Sequence, residues 1–305
     1  MDFPENRFKQ RLRAGDVQYG LRLGLSEVFS AEICAGAGFD WLLIDAEHGP
    51  NDLRTIFAQL QAIAPYDTQP VVRPPQGDHV LIKQLLETGV QTLLIPMVES
   101  GEQATHLFEA MRYPPAGIRG VGSALARASR WGRIGDYTQR ANDEMCLLVQ
   151  VETRAGMAQL DAILAVEGVD GVFFGAADLA ASCGLLGEPN HPDIVAMIED
   201  GLRRSAAAGK PGGVLCGDRE LVHRYRSAGA RFIAVGVDSL LLAAATSGLR
   251  ASPATKPVSP ERAPLDRPRM SMGALTALEV MLTMRPKPRA AMPSTVALMS
   301  SMGVS

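Results

Sequence analysis

Short apolar runs alternate along this chain with longer segments in which apolar residues recur at helical spacing. The runs predict eight strands, near 18–23, 41–45, 70–73, 92–96, 146–151, 171–175, 213–216 and 232–237. Apolar spacings of three and four predict helices between most of them, among them Leu53 to Ile63, Val80 to Leu86 and Ile194 to Ala207. Eight strands with intervening helices indicate an α/β protein with a closed parallel sheet, the (β/α)8 TIM barrel.

An open doubly wound sheet is the alternative. The sequence favours the barrel because no Gly-rich phosphate-binding turn follows the first strand. The connection after the fourth strand is long, with a helix expected over 101–112 and a break at Tyr113-Pro114-Pro115-Ala116-Gly117. Residues 118–140 then carry five arginines, which suit either a solvated basic face or a loop that holds an anionic substrate.

Composition predicts one barrel domain, residues 1–250, followed by a different segment, residues 251–305. The whole chain has 305 residues, and a barrel needs roughly 250. The last segment contains eight of the 20 prolines and seven of the 13 methionines, so we expect a mostly disordered tail without an assigned role. One helical pattern within it runs near Gly273 to Met284.

Charge and cysteine usage limit the partners. A net charge of −3 gives no reason to expect nucleic acid or an anionic membrane as a partner. The four cysteines show no paired spacing, which is typical of reduced, partly buried thiols. Because the N-terminus lacks a signal pattern and no apolar stretch approaches membrane-spanning length, we expect a cytoplasmic protein.

Three strand ends carry acids or bases. The run Trp41 to Ile44 is followed at once by Asp45, Glu47 and His48, and two later strands lead into Glu152 and Asp178. Burial of charge is costly, so strands seldom end in this way without a use for it. In a barrel the carboxyl ends of the strands open on one face, so we expect these side chains to form one polar site.

Glu152 and Asp178 are the candidate metal ligands. Two neighbouring carboxylates repel each other unless a cation lies between them, and a hard divalent cation prefers oxygen ligands. No Cys or His flanks either acid at ligand spacing, which disfavours zinc. Asp178 also suits the alternative role of a helix N-cap.

His48 is the candidate for proton transfer, and Asp45 or Glu47 can orient it. Arg73 ends the third strand, where its guanidinium suits an oxyanion or, alternatively, a salt bridge to a neighbouring acid. No lysine ends a barrel strand, so a Schiff base is a poorer fit. Together these residues favour metal-assisted chemistry beside the carbonyl of a 2-oxo acid.

Several motifs in order resemble those of the HpcH/HpaI aldolase family over about residues 5–248. They are Phe39 to His48, Pro70-Val71-Val72-Arg73, Arg112 to Gly120, Val149-Gln150-Val151-Glu152-Thr153 and Gly168 to Phe173. The resemblance implies a barrel and a class II pyruvate aldolase that uses Mg2+, Mn2+ or Co2+ and no organic cofactor. The implied reaction is retro-aldol cleavage of 4-hydroxy-2-oxoheptane-1,7-dioate to pyruvate and succinate semialdehyde in aromatic catabolism.

The resemblance also assigns roles. It implies that Glu152 and Asp178 bind the metal, that His48 paired with Asp45 is the catalytic base, and that Arg73 stabilises the enolate. The residues implied to bind substrate are Arg73, Gln150, Ala177 and Asp178. Members form hexamers, built as trimers of dimers that exchange their last helix, so a homo-oligomer is expected.

The chain departs from the family in three places. Ala176 and Ala180 stand where the family motif has Pro and Ser, Glu87 stands where close relatives have Asp, and the last helix is expected to stop near Gly248. Two other functions therefore stay open. One is an aldolase for 2-keto-3-deoxy sugar acids, and the other is a catalytically weak barrel that acts as a binding or assembly protein.

Overall fold

The computed structural model describes residues 1–251. The expected disordered tail and the helical pattern near Gly273 to Met284 lie outside the described residues. The domain boundary at residue 250 therefore stays a prediction.

Eight parallel strands close into a barrel in which each strand pairs with its sequence neighbours, β1 with β8 included. They are β1 Gln18–Leu23, β2 Trp41–Asp45, β3 Gln69–Arg73, β4 Thr92–Ile95, β5 Cys146–Val151, β6 Gly171–Phe174, β7 Gly212–Leu215 and β8 Ala230–Val237. The barrel prediction is confirmed, with strand ends displaced by at most two residues, and the open sheet is wrong.

Twelve helices accompany the strands in the described part of the chain. They are α1 Arg7–Arg13, α2 Val28–Ala35, α3 Leu53–Ile63, α4 His79–Glu87, α5 Gly101–Ala110, α6 Tyr137–Glu144, α7 Arg154–Ala158, α8 Leu160–Leu164, α9 Ala176–Ser182, α10 Pro192–Ala207, α11 Arg219–Ala228 and α12 Asp238–Ala251. The helix predicted over 101–112 ends two residues early, where Met111 caps α5. None of these helices combines the length and the hydropathy needed to cross a bilayer.

Alternation along the strands decides which side chains enter the barrel. In β1 the inward positions are Gln18, Gly20 and Arg22, and in β2 they are Trp41, Leu43 and Asp45. A side chain at Gly20 would collide with the indole of Trp41, so only glycine fits there. The interior is therefore mostly apolar, and the inward charged side chains of β1 and β2 lie at the carboxyl ends of these strands.

Helix α1 closes the opposite end of the barrel. Phe8 and Leu12 of α1 belong to the same buried cluster as Trp41 and Phe232, and the carbonyl of Phe8 accepts a hydrogen bond from the Gln18 side chain at the start of β1. The ring of Phe8 packs edge-on against both Trp41 and Phe232. The floor of the barrel is thus an aromatic plug.

The arginine-rich connection between α5 and α6 is held by its own contacts. Arg119 is buried and forms an ion pair with Glu87 at 3.1 Å, Arg127 donates to the carbonyl of Thr88, and Arg133 and Arg140 lie over aromatic rings. None of its five arginines lines the cavity described below. Glu87 anchors this loop, and the role of the loop in holding an anionic substrate stays a prediction.

Candidate active site

The carboxyl ends of the strands enclose a cavity of about 330 Å³. Strand register explains which side chains reach it, because Asp45 at the end of β2 lies directly beside Arg73 at the end of β3. Among the residues that line the cavity are Arg22, His48, Arg73, Gln150, Ala177 and Asp178. The structure therefore brings most of the sequence-predicted site residues into one place, as the barrel geometry requires.

Arg73 is held from three sides. Its Nε donates to Asp45 Oδ1 at 2.8 Å, and its Nη1 donates to Gln150 Oε1 at 3.1 Å and lies 2.9 Å from Glu47 Oε2. Its Nη2 is buried and has no hydrogen-bond partner among residues 1–251. The salt-bridge role and the oxyanion role considered for Arg73 are thus compatible, since the ion pairs leave one donor available to a ligand.

Asp45 is a buried anion that fixes two arginines. Besides Arg73, its second oxygen contacts Arg22 Nη2, and its first accepts a hydrogen bond from the Glu47 backbone N–H at 3.1 Å. Burial alone raises the pKa of this carboxyl, but the Arg73 hydrogen bond and the two guanidinium charges outweigh it and lower the pKa. Asp45 therefore stays ionised and orients cations.

His48 pairs with Glu47 and not with Asp45. Its Nε2 lies 3.5 Å from Glu47 Oε2, whereas the described contacts of Asp45 are with the two arginines and a backbone N–H. The arginines occupy the Asp45 carboxylate in this structure, and the His48–Asp45 pair that the resemblance implies stays a prediction. The imidazole is 52% exposed, which leaves it open to the cavity.

Glu152 is only 1% exposed. Its Oε1 accepts a hydrogen bond from the Met97 backbone N–H at 2.8 Å, and its Oε2 accepts one from the Gln150 side chain. Burial raises the pKa of Glu152 to about 7, and the charges of Glu47 and Asp178 add to the effect. The carboxyl groups of Glu47, Glu152 and Asp178 are therefore close enough to influence one another electrostatically.

Asp178 lies in the first turn of α9 with its carboxylate unengaged. Gly175 is the N-cap of this helix, and no side-chain hydrogen bond caps it. The N-cap role considered for Asp178 is therefore wrong. No hydrogen bond or ion pair of its carboxylate occurs within the described part of the chain. Helix α9 begins at Ala176, so the loss of the family's proline leaves the start of the helix in place.

The donor set suits a hard divalent cation. Its members are carboxylate oxygens, and a side chain at Gly175 would come within 2.5 Å of Glu152 Oε2, so glycine leaves the space beside this carboxyl group open. In residues 1–251 no group of three or more His, Cys, Asp or Glu side chains is placed to hold a metal. The assignment of Glu152 and Asp178 as metal ligands therefore stays a prediction, in which water or substrate would supply the remaining ligands.

Sequence reasoning missed Arg22. Only its strand was predicted, although counting every second residue from Gln18 puts position 22 on the inward face at the end of β1. An inward arginine at the polar end of a barrel strand is the same signal that identified Arg73. Glu47 was considered only as a partner of His48, although it also contacts Arg73.

Comparisons with known proteins point to one family. Residues 18–245 match the family model described as HpcH/HpaI aldolase/citrate lyase. The chain is 61% identical over 242 residues to a hydroxypyruvate/pyruvate aldolase of Pseudomonas aeruginosa. This match covers 79% of the chain and 90% of the relative. It is 60% identical over 247 residues to a 4-hydroxy-2-oxo-heptane-1,7-dioate aldolase of Shigella sonnei, covering 81% and 94% respectively.

A solved structure is similar as well. The crystal structure of an HpcH/HpaI aldolase/citrate lyase family protein from Burkholderia cenocepacia J2315 superimposes with a TM-score of 0.77 at 41% identity. The match covers 81% of this chain and 98% of that protein. The barrel fold is therefore shared.

Proposed function

The chain belongs to the HpcH/HpaI aldolase/citrate lyase family, and we propose that it is a divalent-metal-dependent aldolase that cleaves 4-hydroxy-2-oxo acids to pyruvate and an aldehyde. Relatives at about 60% identity are named aldolases, so the chain is a carbon–carbon lyase. The metal, the substrate and the roles of individual residues are the proposed part.

One observation carries the proposal. Arg73, whose Nη2 has no partner among the described residues, and Asp178 line the same cavity, and the charge of Asp178 helps to raise the pKa of Glu152, directly after β5. A 2-oxo acid has a carbonyl oxygen and a carboxylate on adjacent carbons. Such a molecule matches a site that combines cation ligands with a free guanidinium donor.

In the proposed mechanism, Glu152 and Asp178 hold the divalent cation, which when bound supplies Lewis acidity toward the 2-oxo group. Arg73, held by Asp45 and Glu47, donates from Nη2 to the oxygen on which negative charge develops. Gln150 and the backbone around Ala177 position the pyruvate portion.

His48 is the proposed acid and base. It removes the proton of the 4-hydroxyl group, the C3–C4 bond breaks, and the aldehyde leaves. The electron pair of that bond remains on the pyruvate portion, where C3 takes a proton to give pyruvate. Glu47 stands 3.5 Å from His48 Nε2 and stabilises the imidazolium formed in the first step.

The proposed substrate is 4-hydroxy-2-oxoheptane-1,7-dioate, which yields pyruvate and succinate semialdehyde, and the role in aromatic catabolism follows from it. A second candidate donor is hydroxypyruvate, because relatives at 61% and 62% identity are named hydroxypyruvate/pyruvate aldolases. The two donors, pyruvate and hydroxypyruvate, can be compared by measuring kcat/KM for aldol addition of each to the same aldehyde. A 2-keto-3-deoxy sugar acid belongs in the same panel.

Chelation tests the proposal. Treatment with EDTA should abolish pyruvate release from 4-hydroxy-2-oxoheptane-1,7-dioate, and added Mg2+, Mn2+ or Co2+ should restore it. Undiminished activity in the chelated, dialysed protein would refute the metal-dependent mechanism. Absence of turnover with every substrate and metal in the panel would leave the barrel as a binding protein.

We also propose that the protein is a homo-oligomer, a hexamer by family resemblance. Within α12 only Asp238 is buried, and four leucines are exposed to solvent, Leu240, Leu241, Leu242 and Leu249. Exposed apolar helix faces of this kind commonly lie in subunit contacts. Light scattering on the full chain and on residues 1–250 tests the assembly and the effect of the tail. The cytoplasmic location likewise stays a prediction.

A further inference from the structure

We propose that Arg22 is a second anion-binding side chain of the cavity, and that it selects substrates whose aldehyde portion carries a carboxylate. The inference rests on the proposed function, which puts the pyruvate portion beside Arg73. The inference concerns the aldehyde portion of the substrate, which none of the proposed catalytic residues binds.

Arg22 reaches the cavity from β1, two strands away from Arg73 on β3. Asp45 on the strand between them binds both arginines, one on each carboxylate oxygen. The two guanidinium groups are therefore separated by a single carboxylate. A substrate with two acidic groups, one held near Arg73, has a second cation within reach of its far end.

The hydrogen bonds of the two arginines differ. Arg73 is engaged by Asp45, Glu47 and Gln150, whereas the one described partner of Arg22 is Asp45. The Nε of Arg22 is buried without a partner, and its Nη1 donates no hydrogen bond to any of the described residues. Its side chain is 21% exposed, against 5% for Arg73, so its open edge is accessible from the cavity.

The position of Arg22 also fits the direction in which a substrate must extend. The pyruvate portion is proposed to lie among Arg73, Gln150 and Asp178, which belong to β3, β5 and the start of α9. Other parts of the cavity lining include Arg22 and residues 215–218, at the end of β7 and just after it. Asp218 caps α11 by accepting a hydrogen bond from the Leu221 N–H, and Arg22 is the arginine on this side of the cavity lining.

The alternative is that Arg22 acts only through Asp45, as a positioning residue. A comparison of aldehydes separates the two roles. Aldol addition of pyruvate is measured with succinate semialdehyde and with butanal, which has the same four-carbon chain without the carboxylate. The readout is the ratio of the two kcat/KM values, because any loss that acts through Asp45 affects both aldehydes.

In Arg22→Met the ratio should fall by about 10- to 100-fold, the effect of one lost charge-assisted hydrogen bond. Arg22→Lys, which keeps the charge, should retain most of the preference. Arg226→Met is the matched control, since it removes the same charge from an exposed position in the last turn of α11. Circular dichroism verifies that each variant is folded.

An equal loss with both aldehydes in Arg22→Met would overturn the inference and leave Arg22 as a positioning residue. An equal fall of the ratio in Arg226→Met would also overturn it, because net charge would then explain the preference. Absence of turnover with either aldehyde in the unmodified protein would refute the proposed function itself. Turnover without a selective loss refutes only the role of Arg22.

Discussion

The two ends of the barrel are built from opposite kinds of side chain. At the amino ends of the strands, α1 inserts Phe8 and Leu12 against Trp41 and Phe232. At the carboxyl ends, the inward positions are charged, and several of their polar atoms have no hydrogen-bond partner within the described chain, including those of Arg22, Glu47 and Arg73. One end buries apolar surface, whereas the other buries charge.

The contrast separates stability from activity. Burial of apolar rings stabilises the fold, whereas gathering like charges in a partly dry site costs free energy and is retained where chemistry needs it. Substitutions in the floor should therefore change the free energy of unfolding with little effect on turnover. Substitutions at the carboxyl ends of the strands should instead change turnover more than they change the free energy of unfolding.

The largest effect is expected from Phe8→Ala. Phe8 is fully buried, with ring centroids 5.9 Å from Trp41 and 6.0 Å from Phe232, so the truncation should cost about 3–5 kcal/mol of unfolding free energy. Urea denaturation measures the loss. Leu186→Ala, an exposed apolar truncation, is the control and should cost less than about 0.5 kcal/mol. A folded Phe8→Ala protein with strongly reduced kcat would contradict the separation.

Arg73→Lys should give the next largest effect, a fall in kcat/KM of about 100- to 1000-fold. Lysine keeps the charge but cannot bind Asp45 and Gln150 while also donating to the substrate. The matched control is Arg112→Lys, a buried arginine that donates to the Met145 carbonyl, just before β5 begins. It should lower stability and leave kcat/KM within a few-fold. Equal catalytic losses in the two variants would refute a special role for Arg73.

The fold was far easier to predict from sequence than the site. Apolar periodicity determined the eight strands, since it depends on burial that every barrel strand shares. Which carboxylate meets which cation depends instead on register and on the neighbouring strands. Thus the local sequence left both Asp45 and Glu47 open as partners of His48, whereas in the structure Asp45 contacts Arg22 and Arg73 and Glu47 contacts His48. Arg22 escaped notice because a lone arginine within a strand is usually assumed to face solvent.

The pH dependence of stability should differ between the two ends, first through Glu152. Burial raises its pKa to about 7, above the ordinary 4.5, so the metal-free fold keeps the proton that the unfolded chain has already lost. This contribution is present below about pH 4.5 and is lost as pH rises to about 7, at most about 3 kcal/mol. Urea unfolding of metal-free protein between pH 5 and 8 should therefore show a flatter profile for Glu152→Gln. Parallel profiles would disprove the assignment.

Lys9 at the floor should act in the opposite direction and more weakly. Its Nζ donates to the carbonyls of Asp143 and Met145, and burial lowers its pKa although Asp170 at 3.5 Å opposes the shift. As pH rises toward 10.5, the folded protein loses this proton before the unfolded chain does, so stability from this group rises with pH. Urea midpoints between pH 8 and 10 should rise more in the unmodified protein than in Lys9→Met, in which the loss of both hydrogen bonds lowers stability at every pH. A steeper rise in Lys9→Met would mean that the lysine is stabilised as a cation, and the floor would then resemble the mouth in its use of charge.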